Sequence, residues 1–598
     1  MIIDYLDTMI YTFPIPSALG TYQIKFDELS SLMISFSSLV FMMVLIHMVK
    51  FKEDYGTKYV GMLNILLIAC ILAMCADSVI LLLMSWELIT LTTFLMTCGA
   101  DEAARWRFFT ITHFGGLIIM TVFAAMWYIS GTGILSDMDP VSSLVGTGLS
   151  AGMILLLFIG FGTKLGSIPF HVWMPDLYNS APIHTIALLS TVCSNVAIVL
   201  LMKASFLWIG IPDNIILPLA LLVIASGSAI WGALESLIQT EPRRILAYSS
   251  MENIAMVIIC MATGTLFLQM GFDNSYVIMI LTAAVLHTIN HSFFKSLMLL
   301  NVGTVEKCTG EHAIEKMGGL AKVLPVLSVF ALIGTLSMAA IPPLNGFVSE
   351  WLMIKTVISA GTGTSIMNIA LPLIVTVLGI CGMMAAVSYA RLYGFMFLGR
   401  PRSEAVAKPK KIDSMTMVPL LILSVVCIGL GIFSMPVIDS IMNSICSTFG
   451  FEYKIQNIIS NSLNPIVISV ILVVIVVALY AVFKIFKKKT DSATTWDCGT
   501  ELKDNMQYSS VGFTQPLVHV FHPLYGDNTE ITKNISNDTR TYSVKFIEPF
   551  MKYILSPIGK GVLWIANKIG KIQTGNIQSY LAYLLITLIV VLLGARFL

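Results

Sequence analysis

The stretch Gly160-Phe161-Gly162-Thr163-Lys164-Leu165-Gly166-Ser167-Ile168-Pro169-Phe170-His171-Val172-Trp173-Met174-Pro175 decides how the rest of the chain is read. It follows Ala151 to Ile159, a run that is almost wholly hydrocarbon. Into that setting it brings a lysine, a histidine, glycines and two prolines. An ionisable side chain at bilayer depth is costly and marks an ion pathway by default. Glycine and proline break the helix that would otherwise span, and such breaks are tolerated only where they are buried in protein or line a wet cavity. The stretch therefore predicts a discontinuous membrane helix with Lys164 beside the break.

The composition agrees. Of 598 residues, 57% are hydrophobic and 12% charged, against about 25% charged in soluble domains. The chain reads as a polytopic protein of the lipid bilayer. Its net charge of +1 gives no support for a nucleic-acid partner. Met1 to Gly20 holds Asp4 and Asp7 and no basic region, so it does not read as a cleavable signal peptide. No two of the ten cysteines stand at C-x-x-C spacing, and most lie in apolar runs. They read as small buried hydrophobes, and no cofactor or metal is expected in this chain.

Apolar runs of about 20 residues fall at 30–49, 59–76, 79–98, 107–130, 149–178, 183–209, 215–238, 247–270, 276–302, 324–361, 369–398, 416–436, 463–483 and 577–597. Two are too long for one straight helix. The run 149–178 contains Gly166 and Pro169, and 324–361 contains Pro342, Pro343 and Gly346. Charge checks the alternation of the spans. One set of loops holds Lys50, Lys52, Lys58, Arg105, Arg107, Arg243, Arg244, Lys307, Lys316, Lys322, Arg400, Arg402, Lys408, Lys410, Lys411, Lys484 and Lys487 to Lys489; the other holds only Lys25 and Lys454. The basic loops are expected in the cytoplasm and the N-terminus outside.

The predicted class is an all-α polytopic membrane protein of about fourteen transmembrane helices, with inverted five-helix repeats and two discontinuous helices. Spans 59–209 and 215–398 each hold five helices, and the fourth of each is the broken one. Five is odd, so the repeats run in opposite directions, as in transporters whose ion sites lie at the breaks. The division is an outer segment 1–28, a first half 29–209, a second half 215–398, two further helices at 399–489, a cytoplasmic segment 490–576 and a last transmembrane helix at 577–598. Residues 437–462 read as a polar outer loop. Tyr542 to Ile572 reads as an amphipathic helix interrupted at Pro549 and Pro557, on the membrane surface or along a partner; the alternative is a solvated linker.

Ionisable residues inside the spans are few. They are Glu87 after Trp86, Lys164, Glu252, the set His287, His291 and Lys295, and then Glu350 and Lys355 after the second break. Steps of four put His287, His291 and Lys295 on one helical face, about 6 Å apart. Histidine exchanges protons near neutral pH, so the stripe can relay them. A zinc pair and a purely structural stripe are the alternatives. A buried lysine whose carboxylate partner approaches and withdraws is a proton-loading site. Glu87 is the partner by residue type; a static ion pair is the alternative. Lys355 and Arg391 read as snorkelling side chains.

As a set, these motifs resemble the antiporter-like membrane subunits of respiratory complex I, the multisubunit sodium/proton antiporters and the membrane-bound [NiFe] hydrogenases. The matching stretches are Trp86-Glu87-Leu88, Gly160 to Pro175, Gln239 to Ser250, His287 to Lys295 and Pro342 to Trp351. Met251-Glu252-Asn253, Pro343 to Trp351, Trp496 to Gly499 and Met506-Gln507-Tyr508 look like the hydrogenase-4 and formate hydrogenlyase branch. The resemblance implies a subunit of a prokaryotic cell membrane that moves protons, or sodium, through two half-channels joined by a polar axis. It implies partners among the other membrane and peripheral subunits of a hydrogenase or complex I-like assembly, which would handle the electrons. It also implies that Glu87 pairs with Lys164, that His287, His291 and Lys295 lie on the connecting helix, and that Glu350 is the terminal group. Two departures stand out. Asn195 occupies a position where relatives carry lysine or histidine, unless water or Lys203, about two turns on, serves instead. The chain also begins at what looks like the family's third helix. A secondary sodium/proton antiporter subunit and a non-pumping scaffold are the competing readings; Asn195 is the support for the scaffold.

Overall fold

The structure, a computed structural model, describes residues 9–13, 22–54, 56–361, 366–452, 465–486, 499, 506–521, 529–535, 540–546, 550–570, 578 and 585–586. Twelve of its helices are long and apolar enough to cross a membrane. The chain enters through a hairpin of β1 (Met9–Phe13) and β2 (Tyr22–Phe26). Then come α1 (Glu28–Met48), α2 (Thr57–Cys75), α3 (Val79–Met96) and α4 (Glu102–Ser130). Asp27, Ser78 and Asp101 cap α1, α3 and α4, each side chain accepting from a first-turn amide.

The first expected break is present. Helix α5 (Thr147–Leu165) stops at Gly166, whose φ of 73° is left-handed, and the Ser167 amide then donates to the Gly162 carbonyl at 3.0 Å. Pro175 sits in the first turn of the short α6 (Met174–Ser180), where its missing N–H costs nothing. Helix α7 (Ile183–Trp208) follows and carries two π-helical turns, Leu189–Cys193 and Ala204–Trp208. Such turns gather at functional sites, and nothing in the local sequence announced them.

The second half repeats the order with α8 (Ile216–Ile238), α9 (Pro242–Gln269) and α10 (Asn274–Thr309). Its fourth span is again broken, into α11 (Pro325–Met338) and α12 (Asn345–Ala360), on either side of Pro342 and Pro343. Next are α13 (Met367–Phe397) and α14 (Ser414–Ile432). Helices α7 and α10 are buried along the whole of their apolar windows and α9 nearly so. The core is therefore a seam of polar-studded helices wrapped by plainer ones.

Two expectations change. The stretch read as an outer loop contains α15 (Ser434–Phe449), which packs on α10 and α1. Its Ile438, Ile441, Met442 and Ile445 recur at helical spacing and are buried, a pattern masked by the serines between them. Beyond it, α16 (Pro465–Phe486) is exposed on nearly every side, and α17 (Ser510–Val520) opens with Ser510 and the Val511 amide donating to Glu315. The second change falls in the unit formed by residues 517–598. There Tyr542–Phe546 is no part of a helix. It belongs to β4 (Arg540–Phe546), paired antiparallel with β3 (Thr529–Ile535). Tyr542, Val544 and Phe546 alternate with polar residues, which is a strand period. The amphipathic helix is real but shorter: α18 (Ser556–Gly570), with Lys560 and Lys568 among Ile558, Val562, Leu563 and Ile569. A π-helical turn, Met551–Leu555, leads into α18, and Pro557 falls just past the point where the two meet. The span expected at 577–597 lies outside the described residues save 578, 585 and 586.

Candidate functional site

Lys164 lies in the last turn of α5 and is buried. Its Nζ donates to Thr90 Oγ1 at 2.9 Å and stands 4.1 Å from the centre of the Trp86 ring. Trp86 and Thr90 are one turn apart on α3, so both face α5. Phe161, one turn before Lys164, packs edge-on against Trp86 at 5.0 Å. The ammonium thus rests on a hydroxyl and an aromatic face.

The expected contact with Glu87 is not made. Residue 87 is turned about 100° from Trp86 around the helix, and its carboxylate receives His113 Nδ1 of α4 at 3.0 Å. Both partners are about two-fifths exposed, at 41% and 43%. Gly116 makes room for them: a Cβ there would stand 2.0 Å from Glu87 Oε1. The first cluster therefore holds Glu87–His113 and Lys164–Thr90 on adjoining faces of α3. His113 was missed in the sequence, although a histidine inside the span 107–130 was signal enough.

Asn195 sits at the centre of α7 and is buried. Its Nδ2 donates to Ser37 Oγ at 3.0 Å, and its Oδ1 accepts from Ser292 Oγ at 3.0 Å. It ties α1, α7 and α10 together beside His291. Lys203 does not stand in for it. Eight residues on, about 12 Å along the helix, Lys203 is ion-paired with Asp27 and donates to Ser30 Oγ at 2.6 Å and to the Met74 carbonyl at 3.2 Å. Burial works to raise the Asp27 carboxyl, but the Lys203 ammonium outweighs it and holds the group below the usual carboxylate range. The pair lines a cavity of about 100 Å³ with Lys25, Asp77 and Ser136, at the end away from the basic loops.

The second cluster surrounds α10. His287 touches Ser349 Oγ at 3.0 Å with Nδ1 and Asn253 Oδ1 at 3.1 Å with Nε2. Both nitrogens are thus occupied by neutral groups, which removes His287 as a zinc ligand. Asn290 Nδ2 donates to the Asn345 carbonyl at 2.8 Å, anchoring α10 to the second break. His291 is buried, and its Nε2 has no hydrogen-bond partner among the described residues. Lys295 Nζ donates to Ser249 Oγ at 2.7 Å and to the Leu246 carbonyl at 3.1 Å. Ser249 in turn meets the hydroxyl of Tyr389, a residue of α13 that sequence reasoning did not single out, at 2.5 Å. Glu252, one turn beyond Ser249 on α9, is buried with neither oxygen hydrogen-bonded among the described residues. Glu350 follows Ser349 on α12 and lies against Gly382 of α13.

Two side chains read as snorkelling are buried instead. Lys355 is 8% exposed. Arg391 is 1% exposed and donates to the Ser236 and Gln239 carbonyls. These are end-of-helix acceptors of α8, which attract a cation. The nine described cysteines are free thiols, and most are buried.

The polar groups fall in two clusters: Lys164 with Thr90 at the first break, and Asn195, Ser292, His287, His291, Lys295, Glu252 and Glu350 around α10 and the second break. Among the described residues none of the buried ionisable groups in these clusters is in an ion pair, and groups held by hydroxyls, amides and carbonyls can exchange protons.

Residues 76–379 match the family described as NADH:quinone oxidoreductase/Mrp antiporter, TM. Hydrogenase-4 component B of Escherichia coli (strain K12) is 26% identical, with 98% of this chain and 91% of that one covered. A chain of the archaeal membrane-bound sulfane sulfur reductase superposes with a TM-score of 0.78 at 19% identity, covering 98% of this chain and 92% of that one. A chain of the Mrp complex from Dietzia sp. gives 0.74 at 20% identity, covering 100% and 59%. With both broken helices and the intramembrane lysine inside the matched region, the chain belongs to the NADH:quinone oxidoreductase/Mrp antiporter transmembrane family.

Proposed function

We propose that this subunit carries protons, with sodium as the other candidate ion, across a prokaryotic cell membrane for a redox-driven assembly of the hydrogenase or complex I type. One observation carries the reading: Lys164, buried at a helix break, is held among the described residues by Thr90 and an aromatic face. A lysine kept there for structure alone would be matched with a carboxylate; one held by neutral groups is ready to change its charge. The basic loops face the cytoplasm in this reading, the N-terminal end lies outside, and residues 490–576 are cytoplasmic. Electron chemistry belongs to partner subunits, and no cofactor is assigned to this chain. The likeness to hydrogenase-4 component B supports partners of the hydrogenase kind.

The test is Lys164→Ala in the intact native assembly. Redox-driven proton uptake should vanish while the assembly stays whole; uptake at the unaltered rate refutes the proposal. A second reading, a secondary sodium/proton antiporter, is supported by the likeness to the Mrp complex chain. Subunits that copurify with the native protein separate the two.

A further inference from the structure

Three oxygen atoms, two from the start of α1 and one from the end of α2, surround the ammonium of Lys203 on α7. Nζ pairs with Asp27 Oδ2 and donates to Ser30 Oγ at 2.6 Å and to the Met74 carbonyl at 3.2 Å. An ammonium has three protons to give, and each has an acceptor here. The oxygens are themselves tied in place. The Ser30 hydroxyl donates to the Met74 carbonyl at 2.7 Å, so its lone pairs face Lys203. The Ser30 amide donates to Asp27 Oδ1 at 2.9 Å, which holds the carboxylate with Oδ2 toward the ammonium. Lys203 and Ser30 are both buried. None of these groups belongs to the two clusters described above.

Each oxygen has a physical reason to be where it is. Asp27 is the N-cap of α1, and capping fixes its side chain at the helix end. Met74 lies in the last turn of α2, where carbonyls have no partner within the helix and the dipole is negative. A carboxylate, a hydroxyl and a helix-end carbonyl are the oxygen donors that hard cations take. Asp27 and Lys203 themselves line the cavity of about 100 Å³ that also touches Lys25, Asp77 and Ser136. The cavity has room for waters, which complete the shell of a small ion. The arrangement is a cation site in which the cation is part of the chain.

Charge decides which ion the oxygens suit. Asp77 is held by neutral donors, the Ser136 amide at 2.9 Å and the Ser136 hydroxyl at 2.7 Å. Around the cavity stand two carboxylates, Asp27 and Asp77, and two ammonium groups, Lys25 and Lys203. With Lys203 in place these charges balance. Without it one negative charge remains, which a monovalent ion offsets and a divalent ion overshoots. Calcium sites also gather several carboxylates on the ion, whereas here a single carboxylate, that of Asp27, touches the ammonium.

We propose that Asp27, Ser30 and the Met74 carbonyl form a seat for an alkali cation, and that Lys203 fills it as a tethered cation. Its ammonium keeps free cations such as sodium out of this end of the first half. The seat is a binding property of the end away from the basic loops, and it stands whether or not the subunit carries protons.

The experiment measures binding of radioactive sodium to the purified native assembly by equilibrium dialysis, with choline chloride keeping the ionic strength constant. Lys203→Met keeps the apolar stem and ends one atom short of Nζ, so the seat is vacated while its oxygens stay. This variant should gain one saturable sodium per chain over the unaltered assembly. Sodium should also raise its unfolding temperature above that in choline, as mass action requires of an ion bound by the folded state alone, while the unaltered protein shows no such difference. Asp27→Asn combined with Lys203→Met still caps α1 but lacks the carboxylate, and both effects should disappear. If Lys203→Met holds together in sodium and not in choline, that too is the expected exchange of one cation for another. The seat is overturned if Lys203→Met assembles in neither salt, if it binds no more sodium than the unaltered assembly, or if the double variant keeps the added sodium.

Discussion

Thr90→Val is the sharpest probe of the first cluster. Valine matches threonine in shape but has no oxygen, so α3 keeps its packing while Lys164 Nζ loses its 2.9 Å acceptor. Thr90 is 0% exposed, so solvent does not simply take the vacated place. A hydrogen bond involving a charged group is worth about 1.5–3 kcal/mol. The Trp86 face, 4.1 Å away, remains and returns about 0.5–2 kcal/mol in either protein. The net loss to the ammonium form is the hydrogen bond. At 1.4 kcal/mol per factor of ten, any step through that form slows about 10- to 100-fold. The assay is dye-quench proton uptake in inverted vesicles driven by the native donor, with redox turnover and assembly measured on the same preparation. Thr90→Ser restores the oxygen and should restore uptake. Wild-type uptake in a fully assembled Thr90→Val complex would refute the reasoning, since Lys164 would then not depend on the only hydroxyl that holds it among the described residues.

Two other predictions concern the basic end. Glu306 accepts from Arg243 Nε at 2.8 Å and pairs with Nη2, and both side chains are largely buried, at 4% and 12% exposed. Glu306→Gln leaves the guanidinium without its charge partner and should cost about 3–5 kcal/mol, seen as a lower unfolding temperature of the purified protein; an unchanged temperature counts against a structural role for the pair. His312, beyond the end of α10, has its proton affinity raised above the usual 6.5, chiefly by its hydrogen bond to Glu306. A raised value means the contribution is complete below about pH 6.5 and fades as pH climbs through the shifted value. Stability should therefore fall slightly from pH 6 to 8 in the unaltered protein, and His312→Asn should flatten that slope; an identical slope in both excludes His312 as its source.

Much of the molecule was legible in the chain itself. Runs of hydrocarbon residues of bilayer length have one stable solution, a helix, so the spans and their order followed from hydropathy. The breaks followed from backbone chemistry, because Gly166 adopts a left-handed turn and Pro342 and Pro343 have no amide proton to give. Ionisable residues inside those runs were conspicuous for the same reason. What remained hidden was less a matter of residue type than of rotation and depth. The serines of α15 masked a helix whose apolar side is buried, and a strand period lay inside a stretch read as helical.

The sequence by itself determined that Lys164, His287, His291, Lys295 and Glu350 lie in spans beside or between two breaks, since each of those facts depends on a residue and its immediate neighbours. Only the tertiary structure decided who touches whom. A turn of 100° sends Glu87 to His113 and leaves Lys164 to Thr90. A depth of about 12 Å along α7 separates Lys203 from Asn195 and gives it to Asp27. The meeting of three helices far apart in the chain joins His47, His184 and Thr304. Such contacts depend on how helices rotate and slide against one another, and packing sets those two variables where hydropathy does not.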